Sequence, residues 1–180
     1  MGHFSISVIG KDRPGIVASV SEVLYKLGCN LEDSSCSILG GQFAMIVIFW
    51  HDEYTTTDEF VKAFQPLIKA GLTITVNTVK EGDISHEKGF TGKPFILSVY
   101  GADRPGIVYR VSSELAQRKV NITDLNTQLV GTKERPIYVM LLEIDIPDSV
   151  DMEEFQGVLE EVKKDLNVNV TLKPIETMEL

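Results

Sequence analysis

Two stretches of this chain repeat residue types that can hold a small charged molecule. Gly10-Lys-Asp-Arg-Pro-Gly-Ile-Val17 returns as Gly101-Ala-Asp-Arg-Pro-Gly-Ile-Val108, at an offset of 91. In each copy the proline fits the first turn of a helix, where its missing N–H is no loss. The glycine removes a side chain where backbone N–H groups emerge at the positive end of that helix. Such a terminus suits a small anion, for instance a carboxylate. Asp12 and Asp103 are placed either to accept from an ammonium group or to cap the helix. Arg13 and Arg104 can hold a carboxylate or stay solvated. Asn30 and Asn121, at the same offset, open the next strand with a donor and an acceptor each, although asparagine at a helix exit is also a common turn residue. Together these groups describe a free amino acid as ligand. The candidate sites are Asp12, Arg13, Pro14, Gly15 and Asn30 in the first copy, and Asp103, Arg104, Pro105, Gly106 and Asn121 in the second. The loop leaves little room beside the helix terminus, so glycine or a similarly small amino acid is expected.

Other chemistries find less support. His3, His51 and His86 share no metal-ligand spacing and none recurs in the other copy, so they read as solvated histidines, and no metal or cofactor is expected. Cys29 and Cys36 are too few for a disulfide framework and align with Val120 and Thr127, so they read as reduced core thiols. The adjacent acids Glu32-Asp33, Asp52-Glu53 and Glu153-Glu154 read as charges at strand and helix ends, not as an acid and base pair. A small hydrolase stays as the remote alternative, and no catalytic residue is assigned.

The elements that must carry these loops follow from the repeat. Of the 31 positions from 10 to 40, 13 are identical to their counterparts, including Val20, Leu24, Asp33 and Gly40. The second copy then gains about four residues near Thr132, after which Met45 pairs with Met140 and Phe60 with Phe155. The chain is thus a duplicated unit, read as domains over 1–80 and 95–180, with a linker over 81–94 that holds three glycines and no apolar periodicity. Each unit opens on a strand of alternating pattern around residues 4–8 or 95–99. Ile16, Val17, Val20, Leu24 and Leu27 then share a helical face that Gly28 ends. Strands over 30–40 and 42–50 are joined by Gly40-Gly41, whereas the second copy uses a longer loop over 131–136. Thr56-x-x-Glu59 and Asp151-x-x-Glu154 resemble capping boxes ahead of a second helix, which Pro66 should kink or split in the first copy. The order βαββαβ gives an α+β fold of ferredoxin-like type, an antiparallel sheet with both helices on one face. Residues 43–50 and 137–142 are apolar at every position, so both faces of that strand seek burial and sheet contact with another unit is expected.

Charge narrows the partners. Lys and Arg number 17 against 26 Asp and Glu, a net charge of −9, and the acidic excess holds in both halves. Neither half can neutralise a phosphate backbone, so direct nucleic-acid binding is not expected. The central strands carry Phe4, Phe95 and Tyr100 without the basic residues an RNA-binding sheet needs. No apolar run reaches the roughly 18 residues of a membrane span, and the N-terminus enters a strand without a leader pattern, so a cytoplasmic protein with no membrane partner is expected.

A βαββαβ unit with Asp-Arg-Pro-Gly after its first strand and Gly-x-Asn-hydrophobic before its second resembles an ACT domain. The resemblance implies a regulatory, non-catalytic role, with an amino acid bound between two units through the first loop and the start of the second strand. It lays the loop contact on Asp12 and Asp103 and the strand-opening amide on Asn30 and Asn121. Two such units without a further domain, together with Gly28-Cys-Asn-Leu-Glu-Asp-Ser34 and Leu39-Gly-Gly-Gln-Phe43, are similar to the glycine cleavage system transcriptional repressor group. That likeness implies glycine sensing, action through a DNA-binding regulator by protein contact, and a homo-oligomer formed through sheets or helices. The second copy reads Lys119-Val-Asn-Ile-Thr-Asp124, a departure that implies a degenerate site. A stand-alone regulatory subunit of an amino-acid biosynthetic enzyme is the alternative.

Overall fold

The computed structural model describes residues 2–53, 56–80, 92–132 and 135–175. The chain divides into two compact units, Met1–Glu87 and Lys88–Leu180. In the first, β1 (Gly2–Lys11), α1 (Ile16–Lys26), β2 (Asn30–Leu39), β3 (Gln42–His51), α2 (Asp58–Lys69) and β4 (Thr73–Val79) follow one another; in the second, β5 (Lys93–Ala102), α3 (Ile107–Gln117), β6 (Asn121–Thr132), β7 (Arg135–Ile146), α4 (Met152–Leu166) and β8 (Val168–Pro174). The sheets run β2-β3-β1-β4 and β6-β7-β5-β8, with every pair antiparallel. This is the ferredoxin-like α+β arrangement in both units. β5 begins at Lys93, inside the stretch read as linker, and residues 81–91 lie outside the described residues.

Period-two alternation sends Phe4, Ile6 and Val8 of β1 and Phe43, Met45, Val47 and Phe49 of β3 to one face, where they meet Ile16, Val20 and Leu24 of α1 and Phe60 and Phe64 of α2. The second core repeats the plan with Leu97, Val99, Met140, Leu142 and Ile144 against Ile107, Val111, Leu115 and Phe155. Phe4 is therefore a core residue, and it is not available to stack on a base. On the opposite face Ile46 and Leu141 remain 56% and 46% exposed.

Several local readings change. Gly40 and Gly41 turn the first hairpin with φ of 57° and 76°, the left-handed pair that a two-residue type I′ turn needs. In the second copy the four extra residues lengthen the strands: β6 and β7 are 12 residues each against 10 for β2 and β3, and pairing continues out to Thr132 and Arg135. Pro66 does not split α2, which runs unbroken over Asp58–Lys69; lying in the last turn, it forfeits one hydrogen bond. Asp151 caps α4 through Oδ1, accepting from the N–H groups of Glu153 and Glu154 at 2.8 and 3.0 Å. The Thr56 hydroxyl instead meets the Glu59 side chain, and Thr57 is the N-cap of α2 without a side-chain bond. Both units carry a β-bulge at matching places, between Leu31 and Asp33 and between Ile122 and Asp124.

Gly10 and Gly101, retained in both copies, are packing residues. A Cβ at Gly101 would stand 2.9 Å from Val168 Cγ1 and 3.1 Å from its Cα, and one at Gly10 would stand 2.6 Å from Leu72 Cδ2.

His51 is not solvated. It is 8% exposed, its Nε2 lies 2.9 Å from the Leu27 carbonyl oxygen at the end of α1, and its Nδ1 accepts from the Glu53 N–H at 3.1 Å. That second bond fixes the proton on Nε2, which then donates to Leu27. The imidazole thus staples α1 to the exit of β3. His51→Phe should destabilise the first unit by about 1–3 kcal/mol, because it strands a carbonyl and an N–H; a denaturant midpoint unchanged from wild type would contradict the staple. His3 lies 3.3 Å from a Glu32 oxygen on the opposite sheet face, and His86 lies outside the described residues.

Candidate functional site

The repeated loop follows β1 and turns into α1. Its geometry departs from the expected helix start: α1 begins at Ile16, with Gly15 as N-cap at φ 91° and ψ −1°, and Gly106 repeats this at φ 94° and ψ −2°. These angles belong to the third residue of a type II turn, the position that demands glycine and commonly follows proline. Pro14 and Pro105 therefore shape a turn ahead of the helix and do not occupy its first helical position. Around Gly15 and Gly106 space is open, since an added Cβ meets nothing within 4 Å at either. The glycine is needed for its backbone angles and not for lack of room, so the loop itself sets no limit on ligand size.

Asp12 and Asp103 do not cap. Neither α1 nor α3 has a side-chain hydrogen bond at its N-cap or an acidic residue in its first turn, whereas α4 has Asp151, Glu153 and Glu154 there. The first N–H groups of α1 and α3 are thus left for another acceptor. Asp12 itself is held at the sheet end by its own N–H, which donates to the Gly41 carbonyl at 2.9 Å. That bond sets the loop beside the β2–β3 turn. An open groove of about 590 Å³ lies there, lined by Asp12, Arg13, Gly15 and the first residues of α1 on one side and by Cys36, Ile38 and Phe43 on the other. A further hollow of about 400 Å³ runs from Asp12 and Arg13 towards Gly71 and Leu72.

Asn30 is not part of this cluster. It pairs with Trp50, which pairs with His3 near the start of β1, while Asp12 follows Lys11 at the other end. Nine strand residues separate the two levels, about 30 Å at 3.3–3.4 Å each. Asn121 is likewise remote from Asp103: it pairs with Asp145, opposite Pro94, and Asp103 follows Ala102. The structure thus brings Asp12, Arg13, Pro14 and Gly15 together, does the same for Asp103, Arg104, Pro105 and Gly106, and sets each asparagine at the far end of its own sheet.

Two features escaped the sequence reading. Cys36 is exposed, because β2 is an edge strand that the helices do not cover, and it faces the groove. Cys29 is half-buried, and its burial pushes the thiol up to about 11. In the second unit Glu114, 7% exposed, lies between Arg110 and Arg118, one turn away on either side, and Arg110 continues to Asp165 of α4. This network, buried at Glu114 and open to solvent at Arg110 and Asp165, stands where amphipathic spacing suggests only aliphatic packing. Among the described residues no group of three or more His, Cys, Asp or Glu side chains can hold a metal ion, and no helix is long and apolar enough to cross a membrane.

Two βαββαβ units, each with an uncapped helix start behind an Asp-Arg-Pro-Gly turn, define a tandem pair of ferredoxin-like domains. The sequence matches the ACT domain twice, over residues 3–63 and 95–170, and the chain belongs to the ACT-domain family. Among its relatives is a UPF0237 protein of Methanopyrus kandleri, 37% identical over 83 residues that make up 46% of this chain and 84% of that protein. The glycine cleavage system transcriptional repressor of Escherichia coli is 26% identical over 123 residues, 68% of this chain and 63% of the repressor. A crystal structure of an unknown protein from Galdieria sulphuraria superposes with a TM-score of 0.81 at 26% identity, covering 97% of this chain and 99% of that one.

Proposed function

We propose that this chain is a cytoplasmic amino-acid sensor without catalysis of its own, which passes ligand occupancy to a DNA-binding regulator by protein contact. Residues 1–80 and 93–180 serve as its two sensing domains, the second opening with β5 at Lys93, and 81–92 as their link. The observation that carries the reading is the repeated uncapped helix start at Gly15 and Gly106 behind Asp12 and Asp103. A carboxylate satisfies the free N–H groups, and the aspartate accepts from the ammonium group. Kinship with the glycine cleavage repressor supports a transcriptional target, and a net charge of −9 favours control through another protein over direct contact with DNA.

Asn30 can meet an Asp12 loop only from a second copy of the chain, because within one unit the two stand at opposite ends of the sheet. β2 is an edge strand with free backbone groups, and antiparallel pairing of two β2 edges sets the start of one strand beside the end of the other. Asn30 of one copy then comes to the Asp12 loop of its partner, which makes the homo-oligomer part of the binding function.

Calorimetry of the full chain against a panel of free amino acids tests the reading. Saturable binding of at least one member is expected, and silence across the panel would sink it. Pull-down with a DNA-binding regulator, against pull-down with a biosynthetic enzyme, separates the transcriptional role from that of an enzyme's regulatory subunit.

A further inference from the structure

We infer that the first unit selects an amino acid with a large apolar side chain, and not glycine, because the groove beside Gly15 is a side-chain pocket. The inference rests on the amino-acid reading above and names the class of ligand. The groove holds about 590 Å³, and open space at Gly15 leaves nothing to exclude a side chain there. Its walls are apolar. Phe43 and Ile16, 4% and 2% exposed, are its firm parts, while Val17 and Ile38 stay 45% and 61% exposed. Val17 was expected on the buried face of α1; it turns out into the groove instead. Asp12 and the free N–H groups of α1 provide the charged half of the recognition at one end of the same hollow, so the occupant must carry an ammonium, a carboxylate and an apolar body. Glycine would use only the charged end and leave the Ile38 and Val17 surface wet.

The second unit supplies an internal comparison. Ile38 pairs with Phe43 across the first hairpin, and Leu129 pairs with Tyr138 at the same place in the second. There Tyr109 replaces Ala18, Thr127 replaces Cys36 and Tyr138 replaces Phe43. The equivalent place is bulkier and carries three more hydroxyls, so an apolar side chain is taken by the first unit and refused by the second.

Calorimetry of the full chain with glycine, alanine, valine, leucine and phenylalanine reads the selectivity. At about fourfold per methylene buried, leucine should bind at least about 50-fold more tightly than glycine. Glycine binding as tightly as leucine overturns the inference and leaves the sensor reading standing; no binding by any amino acid overturns that reading and this inference with it. Ile38→Ser, on an exposed edge position, and Ala18→Tyr, which copies the second unit, should each cut the leucine-to-glycine ratio about tenfold, with circular dichroism verifying the fold. A ratio unchanged in both folded variants overturns the pocket assignment.

Discussion

An Asp12→Ala chain mixed with an Asn30→Ala chain should recover amino-acid binding that neither variant shows at full strength alone. Each residue is expected to make one hydrogen bond to a charged group of the ligand, so either substitution weakens binding by about 1.5–3 kcal/mol, roughly 10- to 150-fold in Kd. Within one unit Asp12 and Asn30 stand at opposite ends of the sheet, too far apart to touch one amino acid. Two-fold pairing of β2 edges gives two sites, each with Asp12 from one copy and Asn30 from the other. In a mixed pair one of these receives both substitutions and the other receives neither. Random exchange of equal amounts therefore restores about one site in four, at wild-type affinity. Calorimetric stoichiometry reads this directly. If the mixture gives no tight sites although the chains exchange, the site does not span two copies; if both single variants bind normally, it lies elsewhere.

The remoteness of Asn30 was readable in advance from topology, although spacing hid it. In a strand–helix–strand unit whose strands run the same way, the start of the second strand returns to the level of the start of the first, so no loop at the end of β1 can meet it. Periodicity placed the cores well, because Phe4, Ile6 and Val8 or Ile16, Val20 and Leu24 can be buried only on one face of their elements. The Pro14-Gly15 pair was read as a helix start because proline's fixed φ suits both the first helical residue and the second residue of a turn. Only the left-handed φ of Gly15 separates the two. His51 could not be read at all: it meets the carbonyl of Leu27 just past α1 and an N–H two residues on, neither of which has a sequence signature. The groove was hidden for a related reason, since an apolar Ile38 on a strand looks like core until β2 is known to be the edge.

Phe60→Ala is expected to cost the first unit about 3–5 kcal/mol, the range for truncating a buried phenylalanine, against a whole-domain stability on the order of 5–15 kcal/mol. Phe60 is fully buried and ties α2 to both central strands, with ring centroids 4.7 Å from Phe4 and 5.1 Å from Phe49, while Phe4 and Phe49 lie 5.6 Å apart. Its counterpart Phe155 is equally buried, but Ile144 stands where the first unit has Phe49. Aromatic pairs add about 0.5–1.5 kcal/mol beyond area, so Phe155→Ala should cost its own unit less by roughly that amount. Amide exchange, read separately over residues 2–80 and 92–175, measures each loss where it occurs, and equal losses would show that the aromatic cluster adds nothing to plain burial. The same variant ties stability to function. Phe60 lines no part of the groove, so ligand binds the folded fraction with unchanged affinity, and at 100 times Kd it returns about 2.7 kcal/mol. Protection in the first unit should therefore be rescued by the preferred amino acid, and a Phe60→Ala chain that gains none, under conditions where wild type binds, would place the ligand outside that unit.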